Sequence, residues 1–156
     1  MGAVEKPSTD DIGKSFERYL AHRLGFTLIG ERRWQIHIAD TACRTEIKFD
    51  RLLHKTGNLY FEGAGCRRPG GKLVRESVFK PGCKFYAIGD CSRILIFKAT
   101  ILKALLTSRK QRRPDSLKRT PTSCGLTMKY EMAKWYAKSS HEWDEQPLAC
   151  EMKLTI

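Results

Sequence analysis

Arg44-Thr45-Glu46-Ile47-Lys48-Phe49-Asp50 is the stretch on which the reading of this chain turns. Successive side chains of an extended strand point to opposite faces. Thr45, Ile47 and Phe49 therefore share one face, and Arg44, Glu46, Lys48 and Asp50 share the other. The first face is apolar enough to anchor in a core, and the second sets an acid and a base side by side.

Upstream, Trp34, Ile36 and Ile38 alternate with Gln35, His37 and Ala39, which predicts a partner strand; Asp40-Thr41-Ala42 predicts the turn between the two. Further back, Ser8-Thr9-Asp10-Asp11 offers helix-capping oxygens, and Ile12, Phe16, Tyr19, Leu20 and Leu24 recur at helical spacing up to Gly25. Downstream, Thr56-Gly57-Asn58 marks a turn before a strand at Leu59-Tyr60-Phe61-Glu62, followed by a basic loop through Arg67-Arg68-Pro69-Gly70-Gly71-Lys72. Lys84 to Ile88 and Arg93 to Phe97 predict two more strands around Asp90-Cys91-Ser92. Thr100 then caps a helix through Leu102, Leu105 and Leu106. Thr107 to Arg119 is rich in cations with a single acid, Asp115, and predicts a solvated loop or arm. Met152 to Ile156 forms a short apolar, strand-like tail.

The 156 residues, 41% of them hydrophobic, suit one domain, with a core over about residues 10–106 and a basic C-terminal extension over about 107–156. Twenty-nine Lys and Arg stand against 17 Asp and Glu, a formal net charge of +12. Such an excess through a folded domain points to an anionic partner, nucleic acid before lipid or acidic protein. No stretch approaches the roughly 18 to 20 apolar residues of a membrane span, and Met1 to Ser8 lacks a signal-peptide core, so the expected location is cytoplasmic. In that compartment the six cysteines are expected as free thiols. None forms a C-x-x-C pair, and His22, His37, His54 and His141 are scattered, which argues against structural zinc.

An isolated E-x-K is an ordinary pattern on a solvent-facing strand. Its setting here is more specific: a helix bearing Glu17, a hairpin, Thr45 to Asp50, then another strand, in a strongly basic chain. This order resembles the PD-(D/E)XK nuclease superfamily, and Glu46 to Arg51 followed by Lys55 to Glu62 looks like a phage-associated branch related to restriction endonucleases and Holliday-junction resolvases. The resemblance covers about residues 10–106. It implies an α/β fold with a restriction-endonuclease-like α-β-β-β-α-β core, a central mixed sheet flanked by helices. It further implies Glu46 as a metal ligand, Lys48 as the catalytic lysine, Glu17 as the added helical glutamate, and the Ile47 carbonyl at the metal, which is Mg²⁺ or Mn²⁺. A bacterial or phage-infected cell is the setting it suggests.

The family usually places its first acid well upstream of E-x-K, on the strand that pairs with the catalytic one; here the nearest candidate is Asp40, only six residues before Glu46. With Thr41-Ala42 as a two-residue hairpin loop, Asp40 opposes Cys43 and faces away, while His37 opposes Glu46 and Gln35 opposes Lys48. A bulge or longer loop turns Asp40 to the active face instead; otherwise Gln35 or His37 stands where the aspartate belongs. Asp50 suits a strand end or turn.

DNA contacts are expected from Arg51, Lys55 and Asn58, from Arg67 and Arg68, and from Arg109, Lys110, Arg112 and Arg113, gripping phosphate oxygens without reading sequence. Glu62 and Asn58 equally suit solvent exposure and turn chemistry. Three functions remain in play: a metal-dependent deoxyribonuclease, a non-catalytic nuclease-fold protein that binds DNA or acts as a subunit, and an RNA-binding protein stacking bases on Trp34, Tyr60 or Trp135. Resolving branched DNA requires a homodimer.

Overall fold

The helical spacing from Ile12 to Leu24 and the period-two runs from Thr45 onward produce the elements that position Glu46. A computed structural model describes residues 9–30, 40–65, 72, 74, 75, 77–112, 117–119 and 123–144. The expected strand around Trp34 to Ala39, the Arg67-Arg68 loop, Arg113 and the Met152–Ile156 tail lie outside the described residues.

Helix α1 (Thr9–Leu24) buries Ile12, Phe16 and Leu20 along one stripe. Gly25, at φ 72°, lets the chain turn left-handed, and the Phe26 N–H returns to the Ala21 carbonyl at 2.8 Å, a Schellman closure that ends the helix. Strand β1 (Thr45–Phe49) follows, then a single helical turn, α2 (Leu53–Thr56), and β2 (Asn58–Gly65). The short β3 (Val74–Arg75) and a 3₁₀ turn (Ser77–Phe79) lead to β4 (Phe85–Gly89) and β5 (Arg93–Lys98). Helix α3 (Ala99–Arg112), β6 (Leu117–Arg119), β7 (Ser123–Lys129), the turn α4 (Tyr130–Ala133) and β8 (Ser139–Glu142) complete the described chain.

The architecture is mixed α/β, but among the described residues the strands divide into two four-stranded sheets instead of one central sheet. One sheet has the order β1-β4-β5-β8; β1 runs parallel to β4 and the other pairs are antiparallel. The second, β3-β2-β7-β6, is antiparallel throughout. The predicted strand at Leu59 therefore belongs to the second sheet, because its apolar residues pair with Leu126 and Met128, far along the chain. The stretch from Thr107, expected as a solvated arm, continues as helix to Arg112 and forms β6 at Leu117. β7 and β8 likewise carry the sheets well past Leu106.

Two cores hold these layers. Between α1 and the first sheet lie Phe16, Leu20, Ile47, Ala87, Ile94 and Ile96; Phe16 stacks on Phe49 with ring centroids 4.4 Å apart. Burying Phe16 contributes about 1.5–3 kcal/mol and fixes α1 against β1. The larger core joins the other face of that sheet to the second sheet and α3: Tyr86, Ile88, Leu95 and Phe97 meet Phe61, Leu126, Met128 and Leu102. Glu46 and Lys48 pair in register with Tyr86 and Ile88, so alternation turns them toward this second layer while Ile47 faces α1.

Cys91 is disulfide-bonded, contrary to the expectation of free thiols throughout, whereas Cys43 and Cys83 are free. Among the described residues no helix is long and apolar enough to cross a membrane.

Gly125 lies opposite Glu62, beside the bulge where the β2–β7 register shifts, and a Cβ there would come within 2.1 Å of the Phe61 carbonyl oxygen. Gly125→Ala is expected to force the two strands apart and lower stability by about 1–3 kcal/mol in urea unfolding.

Candidate active site

β1 pairs on one side with β4, and among the described residues its other edge carries no strand. Asp40 occupies that edge. Its Oδ2 accepts the Ile47 N–H at 2.7 Å, so a side chain takes the hydrogen bond that a neighbouring strand would otherwise take. The approach depends on how the chain enters β1. Residues 40–42 pair back onto 27–29, with Ile29 N–H donating to the Asp40 carbonyl at 2.9 Å and Ala42 N–H to the Thr27 carbonyl at 2.8 Å. A turn then closes through Arg44 N–H to the Thr41 carbonyl, with Arg44 itself left-handed at φ 62°. This four-residue reversal replaces the two-residue hairpin loop, and Asp40 sits at the active edge and not opposite Cys43. Gln35 and His37 lie outside the described residues.

Glu46 is only 1% exposed. Lys80 Nζ donates to both of its carboxylate oxygens, at 3.0 Å to Oε1 and 2.7 Å to Oε2, and Lys48 Nζ lies 3.2 Å from Oε1. Lys48 is the more open lysine, with 40% of its side chain exposed against 20% for Lys80. Burial depresses the Lys48 pKa, but the charges of Glu46, Asp40 and Glu62 outweigh that effect and hold it above its ordinary value.

Glu17 joins from α1, one residue after the Phe16 anchor. Its pKa is pushed up to about 7, first by burial and then by the negative charge of Asp40; Glu46 adds to the rise while Lys48 and Lys80 oppose it. Asp40 rises to about 6, through burial and then repulsion from Glu46, with the Ile47 N–H pulling the other way. Three carboxylates from three segments thus share one electrostatic field with two ammonium groups. Cys83, also near Glu46, is pushed up to about 11 by burial and by that carboxylate, so it stays a neutral thiol and no nucleophile.

Carboxylate oxygens are the hard donors that a divalent cation such as Mg²⁺ takes. The ligands would be Asp40, Glu46 and Glu17. In the present arrangement Glu46 is turned onto its lysines, and among the described residues no three His, Cys, Asp or Glu side chains are grouped closely enough to hold a metal.

Asp50 performs the turn role expected of it: Oδ1 accepts Leu52 N–H at 3.1 Å and Oδ2 accepts Tyr60 N–H at 2.9 Å, tying the end of β1 to β2. Among the expected DNA contacts, Arg51 and Lys55 are exposed and Asn58 is half-buried at the start of β2, while Arg109, Lys110 and Arg112 lie on the last turns of α3. A hollow of about 490 Å³ lined by Ser92, Arg93, Glu131, Glu142, Trp143 and Asp144 contains none of the site residues. Lys80 is the site residue that sequence reasoning missed. Its only signal is the Pro81-Gly82 turn dipeptide just ahead of the strand that pairs with β1.

Comparison of the chain with protein-family models, curated proteins and solved structures found no match.

The raised pKa values set the sign of a pH effect. Between its ordinary carboxylate pKa and its folded value of about 7, Glu17 binds more proton in the folded chain than in the unfolded one, so stability falls as pH rises through that window. Asp40 acts in the same direction up to about 6. Glu17→Gln is expected to raise Tm near pH 7.5, leave it unchanged near pH 4, and flatten the decline between them in a thermal-melt series.

Proposed function

We propose that this chain is a metal-dependent deoxyribonuclease of the PD-(D/E)XK type, acting in the cytoplasm of a bacterial or phage-infected cell. The observation that carries the proposal is the buried Glu46 paired with Lys48 on β1 while Asp40 accepts the Ile47 N–H between them, at the β1 edge that carries no strand among the described residues, with Glu17 of α1 in the same electrostatic field. An incidental surface E-x-K does not require a buried glutamate, and Glu46 is buried. The net charge of +12 supports a polyanionic partner, and Arg51 and Lys55 are exposed.

A bound Mg²⁺ or Mn²⁺ supplies Lewis-acid polarisation of the phosphate and a water acidic enough to attack it. Asp40 and Glu46, with Glu17, would hold that ion. Lys48, half-exposed and kept protonated by its acidic neighbours, presents its ammonium to the charge that builds on the phosphate oxygens. Glu17, half-buried with a pKa near 7, can hold or release a proton at working pH. A homodimer would bring two such sites to a branched substrate.

The grip of Lys80 on Glu46 favours a second reading, a nuclease-fold DNA binder in which a lysine permanently replaces the metal. Cleavage of labelled single-stranded, duplex and four-way-junction DNA with Mg²⁺ or Mn²⁺ separates the two. The nuclease reading expects metal-dependent cutting that falls roughly 10²-fold or more in Glu46→Ala, Lys48→Ala and Asp40→Asn while salt-sensitive DNA binding persists. Binding without cutting in the wild type selects the binder. Absence of both removes both readings.

A further inference from the structure

Trp135 is 88% exposed, and Met132 and Tyr136 beside it are exposed as well. An indole ring gains by leaving water, and an exposed group of large apolar side chains marks an interaction surface. This one stands on a firm mount. Tyr130 and Ala133 of the α4 turn are buried in the larger core, and Ala137 packs against it. The Tyr130 N–H donates to the Gly57 carbonyl at 2.9 Å, ahead of β2, and the Lys138 N–H to the Ile96 carbonyl of β5 at 2.7 Å, so the segment is tied to both sheets. Between these ties the Trp135 N–H meets the Met132 carbonyl at 3.1 Å and the Tyr136 N–H the Ala133 carbonyl at 3.0 Å.

The surroundings are basic. Arg93 joins α2 to α4, since its guanidinium donates to the Leu53 carbonyl at 3.3 Å and lies 4.5 Å over the Tyr130 ring. Exposed Arg51, Leu52 and Lys55 flank that junction on the α2 side, and exposed Lys129 sits opposite Asn58 in the strand register. From Lys129 to Lys138 three lysines stand against one acid, Glu131. Lys134 pairs with the exposed Glu142 at 3.1 Å, and Lys138 lies over the Phe85 ring. Glu131, Glu142 and Asp144 line the hollow beside Arg93, to which Trp135 and Tyr136 do not contribute. An exposed ring among cations is complementary to a single nucleic-acid strand, whose unpaired bases offer π faces and whose phosphates offer charge. In a duplex those faces are covered by neighbouring bases. An anionic lipid surface answers the charge as well, but anchoring there takes a larger apolar face than one helical turn presents.

We propose that the α4 turn is a stacking platform for single-stranded DNA, on which Trp135 receives an unpaired base while Lys129 and Lys55 hold flanking phosphates. This rests on the DNA partner of the reading above and not on cleavage. The test is fluorescence anisotropy of a labelled oligothymidine strand and of a labelled duplex, titrated with the full-length wild type, Trp135→Ala, Trp135→Phe and Lys129→Ala. Trp135→Ala, at so exposed a position, is expected to leave Tm unchanged and to weaken single-strand binding roughly five- to hundredfold, the worth of one stacked base, with little change for the duplex. Trp135→Phe keeps a ring and is expected to retain most of the affinity. Lys129→Ala is expected to make the dependence of log affinity on log salt shallower by about 0.7, one phosphate contact. Unchanged single-strand affinity in Trp135→Ala, or an equal loss for strand and duplex, overturns the proposal and leaves the nuclease reading standing. Binding to phosphatidylserine vesicles that Trp135→Ala abolishes while DNA affinity is unchanged assigns the face to a lipid surface and overturns it too. Absence of wild-type binding to either DNA overturns both readings.

Discussion

A carboxylate sunk to 1% exposure must be partnered, and the partnering of Glu46 organises its whole neighbourhood. Removing one member of a buried charge pair costs about 3–5 kcal/mol. Two lysines from different segments therefore close on it, one from the same strand and one from the turn before β4. The strand that carries Glu46 is fixed by the apolar residues on either side of it, since Thr45 and Ile47 are buried and Phe49 stacks on Phe16. Packing α1 against β1 also brings Glu17 round to the strand edge. A hydrophobic contact thereby sets an electrostatic one.

The edge position of β1 among the described strands is the second constraint. An edge strand leaves backbone donors that need partners. Asp40 takes the one at Ile47 and in doing so delivers its carboxylate beside Glu46. The same interaction serves structure and chemistry, because it pins the chain that enters β1 and concentrates negative charge there. Asp40 and Glu17 bear the electrostatic consequence in pKa values of about 6 and about 7. Perturbed carboxylates gathered around a lysine are a common mark of functional sites, although structural ion-pair networks produce them too.

Much of this was legible in the sequence wherever the signal was local. Period-two alternation located β1, β4 and β5, and the 3.6-residue spacing with Gly25 located α1 and its end. The same alternation set Glu46 and Lys48 on one face. Asp40 was harder, because its orientation depends on a left-handed Arg44 and on pairing with residues 27–29, neither of which a turn propensity specifies. The second sheet was missed because β2 finds its partner 58 to 71 residues later, in a β7 whose Leu126 and Met128 are interleaved with polar and small residues. Lys80 was missed for a similar reason: it reaches Glu46 across 34 residues, and no spacing rule links a turn lysine to a strand glutamate.

The proposed nuclease function requires Asp40 and Glu46 to take a divalent cation together at the edge of β1. Anomalous scattering from crystals of the protein grown with Mn²⁺ tests it most directly. The account predicts a manganese peak in coordination contact with carboxylate oxygens of both Asp40 and Glu46. Crystals saturated with Mn²⁺ that show no peak between these two side chains would contradict it.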